Sequence, residues 1–253
     1  MLPWSSKARM WWCRTAGSTT TRATGCIWGV WGWLPPCGRV EIDHNGEASG
    51  AAAIVQTTLS MNPGYEALSI HDNGADVVYI GGSAGTDRDV TLSSPAVGGV
   101  PYVLAGSWDV SSGKALTVTA GTVVRLHDGV FLQVYGRLYA VGTATAPITF
   151  TTAATTTVTP GGWSFIAFRG GASGRLERCV VNSAGRGGNA ALVIESSDVV
   201  VQDCRIHHNA GNGVYPGGCG AGSHPAAGGD RPQRGSLRGG GHRPDHPLHE
   251  PRV

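Results

Sequence analysis

Apolar and polar residues alternate in short bursts from residue 102 to 215, and the bursts end at glycine, asparagine or aspartate. Leu116-Thr-Val118, Leu132-Gln-Val134 and Ile148-Thr-Phe150 each set two apolar residues around a polar one. Side chains alternate across a strand, so each triplet predicts a strand with one face on a core. Ala120-Gly121, Asp128-Gly129, Tyr135-Gly136 and Val141-Gly142 supply corners between the strands. No helical period fits this pattern. The strongest signal is a repeat: LERCVVNSAG at 176–185 returns as VQDCRIHHNAG at 201–211, so that Leu176, Cys179 and Val181 recur as Val201, Cys204 and Ile206, 25 residues on. A step of this size marks stacked units that bury their apolar faces on one another. The prediction is an all-β chain wound as a parallel β-helix over 101–215, with Leu176 over Val201, Cys179 over Cys204 and Val181 over Ile206.

The rest of the chain reads differently. Residues 39–100 are rich in Gly, Ala and Ser, with short apolar pairs and strong turn signals at His44-Asn45-Gly46 and Asn73-Gly74. They read as irregular early coils or as a loosely wound cap, in no legible register. Residues 151–160, TTAATTTVTP, read as a loop leaving the solenoid. Residues 1–38 carry six of the eight tryptophans and neither period; they are unassigned, expected to be disordered or out-of-frame, with a secretion signal, a Trp-rich sugar-binding face, and a mistaken start or shifted reading frame as the readings. Residues 216–253 hold little aliphatic material and are expected to be a disordered tail, with truncation or an out-of-frame segment, a natural flexible tail, and a metal-binding tract on His242, His246 and His249 as the readings. The chain is therefore expected to be a fragment with poorly ordered ends.

Composition narrows the class. Charged residues are 14% and glycines number 40, which suits a sheet-rich solenoid with many corners. A net charge of +2 without a basic stripe points away from nucleic acid and from an anionic membrane surface. No run of 18 apolar residues occurs, so no transmembrane segment is expected. The six cysteines include no CxxC pair, which argues against zinc. Cys179 and Cys204 should stack about 4.8 Å apart, either as buried small apolar residues or as a disulfide.

The stretch LTVTAGTVVRLHDGVFLQVYGRLYAVGTATAPITFT, residues 116–151, resembles the opening coils of bacterial secreted right-handed parallel β-helix proteins of the pectate-lyase-like superfamily. Its Gly136-Arg-Leu138 and Ala146-Pro-Ile-Thr-Phe150 segments carry the likeness, which continues through Trp163-Ser-Phe165-Ile-Ala-Phe168 and covers about 100–215. The resemblance implies a right-handed coil and an extracellular or cell-surface location. It speaks weakly to activity.

Catalytic members of that superfamily act on acidic polysaccharides. Hydrolases need paired carboxylates, and lyases need carboxylates that hold calcium beside a base. The best cluster is Asp198, Asp203, Arg205, His207 and His208, all in one coil. The hydrolase segments Asn-Thr-Asp, Asp-Asp and Gly-His-Gly are absent, and Arg205-Ile-His207 resembles the Arg-Ile-Lys segment loosely. Glu41-Ile-Asp-His44 resembles the lyase segment Trp-Ile-Asp-His without its Trp. The expected function is a non-catalytic surface or secreted scaffold for adhesion or glycan binding, with an extracellular glycan or cell-surface partner and no cofactor. The alternative is a fragment of a polysaccharide lyase or glycoside hydrolase, with calcium needed only for the lyase.

Overall fold

A computed structural model describes residues 40–61, 65, 68–156, 158–195 and 198–217 of the chain. The expectations for 1–38 and for the tail from 218 onwards, including the histidine tract, lie outside these residues. The described chain is a parallel β-solenoid of about seven turns. Three parallel sheets form its walls, and the chain visits them in rotation. The seven-stranded sheet contains Ala52–Gln56, Ala75–Ile80, Tyr102–Leu104, Val123–Leu126, Ile148–Thr152, Cys179–Asn182 and Arg205–His207. The six-stranded sheet contains Ala84–Gly85, Trp108–Val110, Leu132–Val134, Ile166–Phe168, Leu192–Ile194 and Val214–Pro216. The five-stranded sheet contains Val90–Leu92, Ala115–Val118, Arg137–Val141, Ser173–Glu177 and Asp198–Gln202. Val40–Asp43 and Leu68–His71 pair separately.

Register follows the apolar alternation. Leu176 pairs with Val201 and Val181 with Ile206, as the repeat predicts. The same wall continues back through residues whose register is not legible in sequence, from Val181 to Phe150, Val124, Tyr102, Val78 and Ile54. Coil length is why. Ala184 and Asn209 bond across a step of 25 residues, whereas Thr151 and Asn182 bond across 31, because the described residues of 153–156 and 158–162 add length to that coil without adding a strand. Thr151 and Thr152, read in sequence as part of that loop, end the strand before it.

Inward positions build one continuous core. Trp108, Trp163, Phe150, Phe168 and Tyr102 are its largest fully buried side chains, and Phe150, Phe168 and Tyr102 each have Val or Ile register partners in the coils on either side. Every coil thus covers its neighbours, which is how a repeat too thin to hold its own core becomes stable. The corners bend through left-handed backbone, and several are not glycine. Arg178 and Asp203 have φ of 50° and 52°, and Ser183 and His208 have 59° and 52°. Each pair occupies one corner in successive coils. At an earlier corner Asn45 and Asn73 stack, with the Asn73 amide donating to the carbonyls of Ile42 and His71.

Candidate functional site

The five residues singled out in sequence are distributed along the last coil. Asp198 begins a strand of the five-stranded sheet and is exposed. Asp203 forms the next corner, about 16 Å further along the chain at an extended rise of about 3.3 Å per residue, where it pairs with Arg178 at 3.3 Å. Arg205 and His207 lie on the outer side of the seven-stranded sheet, and His208 is the corner after them. His207 and His208 touch edge to face with ring centres 4.8 Å apart. Burial, then the charges of Arg205 and His208, holds His207 below the ordinary imidazole value. The fold thus joins His207 to His208 and Asp203 to Arg178, and sets Asp198 a strand length from Asp203. Asp and His, with Asn, are the non-glycine residues enriched in left-handed backbone, which suits Asp203 and His208 to their corners.

Neighbouring carboxylates are also tied to arginine. Glu177 lies between Arg175, at 2.7 Å, and Arg178. The hydrogen bond from Arg175, opposed by desolvation and helped by both arginine charges, holds its carboxyl below the ordinary range.

Near the start of the solenoid, Glu41, Asp43 and His71 bring ligand atoms within 4.8 Å of one another. Parallel register explains it: Asp43 pairs with His71, and Glu41 lies two residues back on the same face. The ring nitrogens of His71 already lie 2.9 Å from Asp72 and 3.0 Å from Glu41. Hydrogen bonds to Asp72 first and Glu41 second raise its pKa, favouring an imidazolium that donates to both carboxylates rather than a neutral metal ligand.

A denser arrangement lies on the outer face of the six-stranded sheet. Asp109 and Gln133 are register partners at the outward middle positions of their strands, between inward Trp108 and Val110 and inward Leu132 and Val134. Arg169 crosses three coils. Its Nε donates to Gln133 at 2.8 Å and its Nη1 to Glu195 at 2.7 Å. The Tyr135 hydroxyl donates to the same Gln133 oxygen at 3.1 Å. Beside this strip Phe131 and Phe165 stack with centres 5.4 Å apart, and the Arg169 guanidinium lies 6.0 Å from the Phe165 ring centre. Phe165 packs on Ala167, Ala190 and Val193, a small apolar cluster outside the main core. The result is a half-buried apolar ridge running beside fixed, planar polar groups.

Asp109 is out of place energetically. Burial raises its pKa above the ordinary 3.8, and the charge of Arg169 offsets this only in part. A carboxyl raised in the folded state is destabilising when ionised, and that cost fades as pH falls through the folded pKa. Asp109→Asn is therefore expected to raise the melting temperature at neutral pH and to give no gain in acid below the ordinary value. Melting curves at the two pH values check this.

Sequence singles out none of Asp109, Phe131, Gln133, Phe165, Arg169 and Glu195 as a site residue, because they converge only once the coil register is known. The available signal was a polar residue at the middle of successive strand triplets. No protein-family model, curated protein or solved structure matches the chain.

Proposed function

We propose that this β-solenoid is a non-catalytic scaffold of a secreted or cell-surface protein, akin to the pectate-lyase-like β-helices, which binds a glycan along the outer face of its six-stranded sheet. The observation that carries this reading is the Phe131–Phe165 ridge beside the Gln133–Arg169–Glu195 strip. Sugar rings have one apolar C–H face and equatorial hydroxyls, so an aromatic ridge flanked by rigid planar hydrogen-bonding groups suits them. The polar groups are held by one another, which lowers the ordering cost of binding.

Spacing favours binding over turnover. Asp109 and Glu195 are three coils apart, about 14 Å along the ladder, while paired catalytic carboxylates lie about 5–9.5 Å apart. Binding to a panel of neutral and acidic oligosaccharides by calorimetry tests the proposal, with reducing ends and unsaturated uronate assayed in parallel. Phe165→Ala is expected to weaken binding about tenfold, or ~1.4 kcal/mol, and no product should form with or without calcium. Equal affinity in Phe165→Ala, or turnover lost in Asp203→Ala and His207→Ala, would overturn it.

A further inference from the structure

We propose that Cys179 and Cys204 form a two-thiolate site for a soft monovalent cation of the copper(I) class, bridging the last two coils. Val180 pairs with Arg205 and Val181 with Ile206, so the cysteines immediately before them occupy the same position in successive coils. Their surroundings repeat as well. Cys179 Sγ lies 3.3 Å from the Ala140 carbonyl and 3.5 Å from that of Glu177. Cys204 Sγ lies 3.4 Å from the Leu176 carbonyl and 3.2 Å from that of Gln202. Each thiol thus faces one carbonyl in an earlier coil and one two residues back, and Ala140 and Leu176 are themselves register partners. The two side chains have one orientation, displaced by one coil.

That displacement decides the chemistry. Groups related by one ladder step are about 4.8 Å apart. A disulfide needs sulfurs about 2 Å apart and Cβ atoms about 3.5–4.5 Å apart, which displaced copies of one rotamer do not supply. The structure accordingly holds both as free thiols. Two metal–thiolate bonds end to end, at the zinc–sulfur length of about 2.3 Å, span about 4.6 Å. A linear, two-coordinate ion therefore fits between the sulfurs almost without movement.

Zinc would need four ligands, and among the described residues no third histidine, cysteine or carboxylate side chain joins this pair. Thiolates select copper(I) by softness. Binding forms two copper–sulfur bonds, releases the two thiol protons and leaves the oxidation state of copper unchanged. Cys204 is half-buried and Cys179 is 1% exposed, so Cys204 is the point of entry.

The test uses the full-length chain with Cys13, Cys26, Cys37 and Cys219 replaced by Ser, titrated anaerobically with copper(I) against a chromogenic chelator. One equivalent should bind, the melting temperature should rise, and X-ray absorption should report two sulfur ligands. Cys179→Ser and Cys204→Ala should each abolish binding while circular dichroism shows the fold retained. If the four-serine chain does not fold, the native chain should take up one equivalent more than either variant. Absence of that equivalent in folded protein, a shell of three or more ligands, or closure of a Cys179–Cys204 disulfide in air would overturn the site.

Discussion

Trp163→Ala is expected to destabilise the protein by about 3–5 kcal/mol, because it removes a fully buried indole from a core that cannot collapse around the gap. Trp163 is 0% exposed and precedes the strand Ile166–Phe168, in the coil that follows the insertion. Its indole N–H donates to the Asn182 carbonyl at 2.7 Å, fastening this coil to the next. In a solenoid each coil is stabilised by its neighbours, so the loss should separate the coils after the insertion from those before it. Denaturant unfolding should become multistate, and hydrogen exchange should lose protection in the strands Ile166–Phe168 and Leu192–Ile194 before Tyr102–Leu104 and Val123–Leu126. Trp163→Phe separates the two contributions. It keeps most of the volume and leaves a carbonyl unpaired, costing about 1–3 kcal/mol. Trp108→Phe should cost less, since the buried Trp108 N–H has no hydrogen-bond partner among the described residues. A Trp163→Ala chain that unfolds in one transition with near-native stability would contradict this account.

Gly136→Val should be as severe, for the opposite reason. Gly136 turns the chain between the six- and five-stranded sheets, where it lies against the previous coil. A Cβ there would fall 2.2 Å from the Lys114 carbonyl oxygen and 2.3 Å from that of Ser111. Both obstacles are backbone, so no rotamer change relieves them. The coil must lift away, which strains the bond from Arg137 N–H to Lys114, at 2.9 Å, and that from Gly136 N–H to Val110, at 3.0 Å. Overpacking of about 1–3 kcal/mol, with two weakened hydrogen bonds at about 0.5–1.5 kcal/mol each, gives a loss of ~4 kcal/mol. Gly129→Ala is the control. No atom lies within 4 Å of its added Cβ, although its φ of 75° carries a strain penalty of its own, about 1–2 kcal/mol. If the two substitutions cost the same, close coil contact at Gly136 is refuted.

How much of this was legible in sequence depended on whether neighbouring coils had equal length. The last two coils do, and Leu176, Cys179 and Val181 announce Val201, Cys204 and Ile206 directly. The coil carrying Ile148 is followed by the Thr-rich insertion, so Phe150 and Val181 pair in space without any constant step. Earlier still, a register shift between Ala52 and Ile54 breaks the alternation that would have identified the wall. Turn chemistry was clearer, since Asn45 and Asn73 sit at corners as their Asn-Gly contexts imply. The outward face was the least legible. A polar residue at a strand midpoint carries no mark of its neighbours, and Arg169 reaches Gln133 and Glu195 only because their coils stack. The cluster of Asp198, Asp203, Arg205, His207 and His208 looks dense in one dimension, yet it spans two walls and two corners.

Successive coils stack in parallel, one strand spacing per turn, from the poorly patterned early segment to the end of the repeat. Thr91, Thr117, Tyr139, Arg175 and Val200 form one outward row of register partners. Four spacings of about 4.8 Å place Thr91 and Val200 about 19 Å apart. Spin labels attached through a ketone-bearing amino acid at these two positions, read by pulsed dipolar spectroscopy, measure this distance directly. A single narrow distribution near 19 Å, widened only by the label arms, is the predicted result. A broad distribution, or a maximum beyond about 30 Å, would contradict the stacked solenoid.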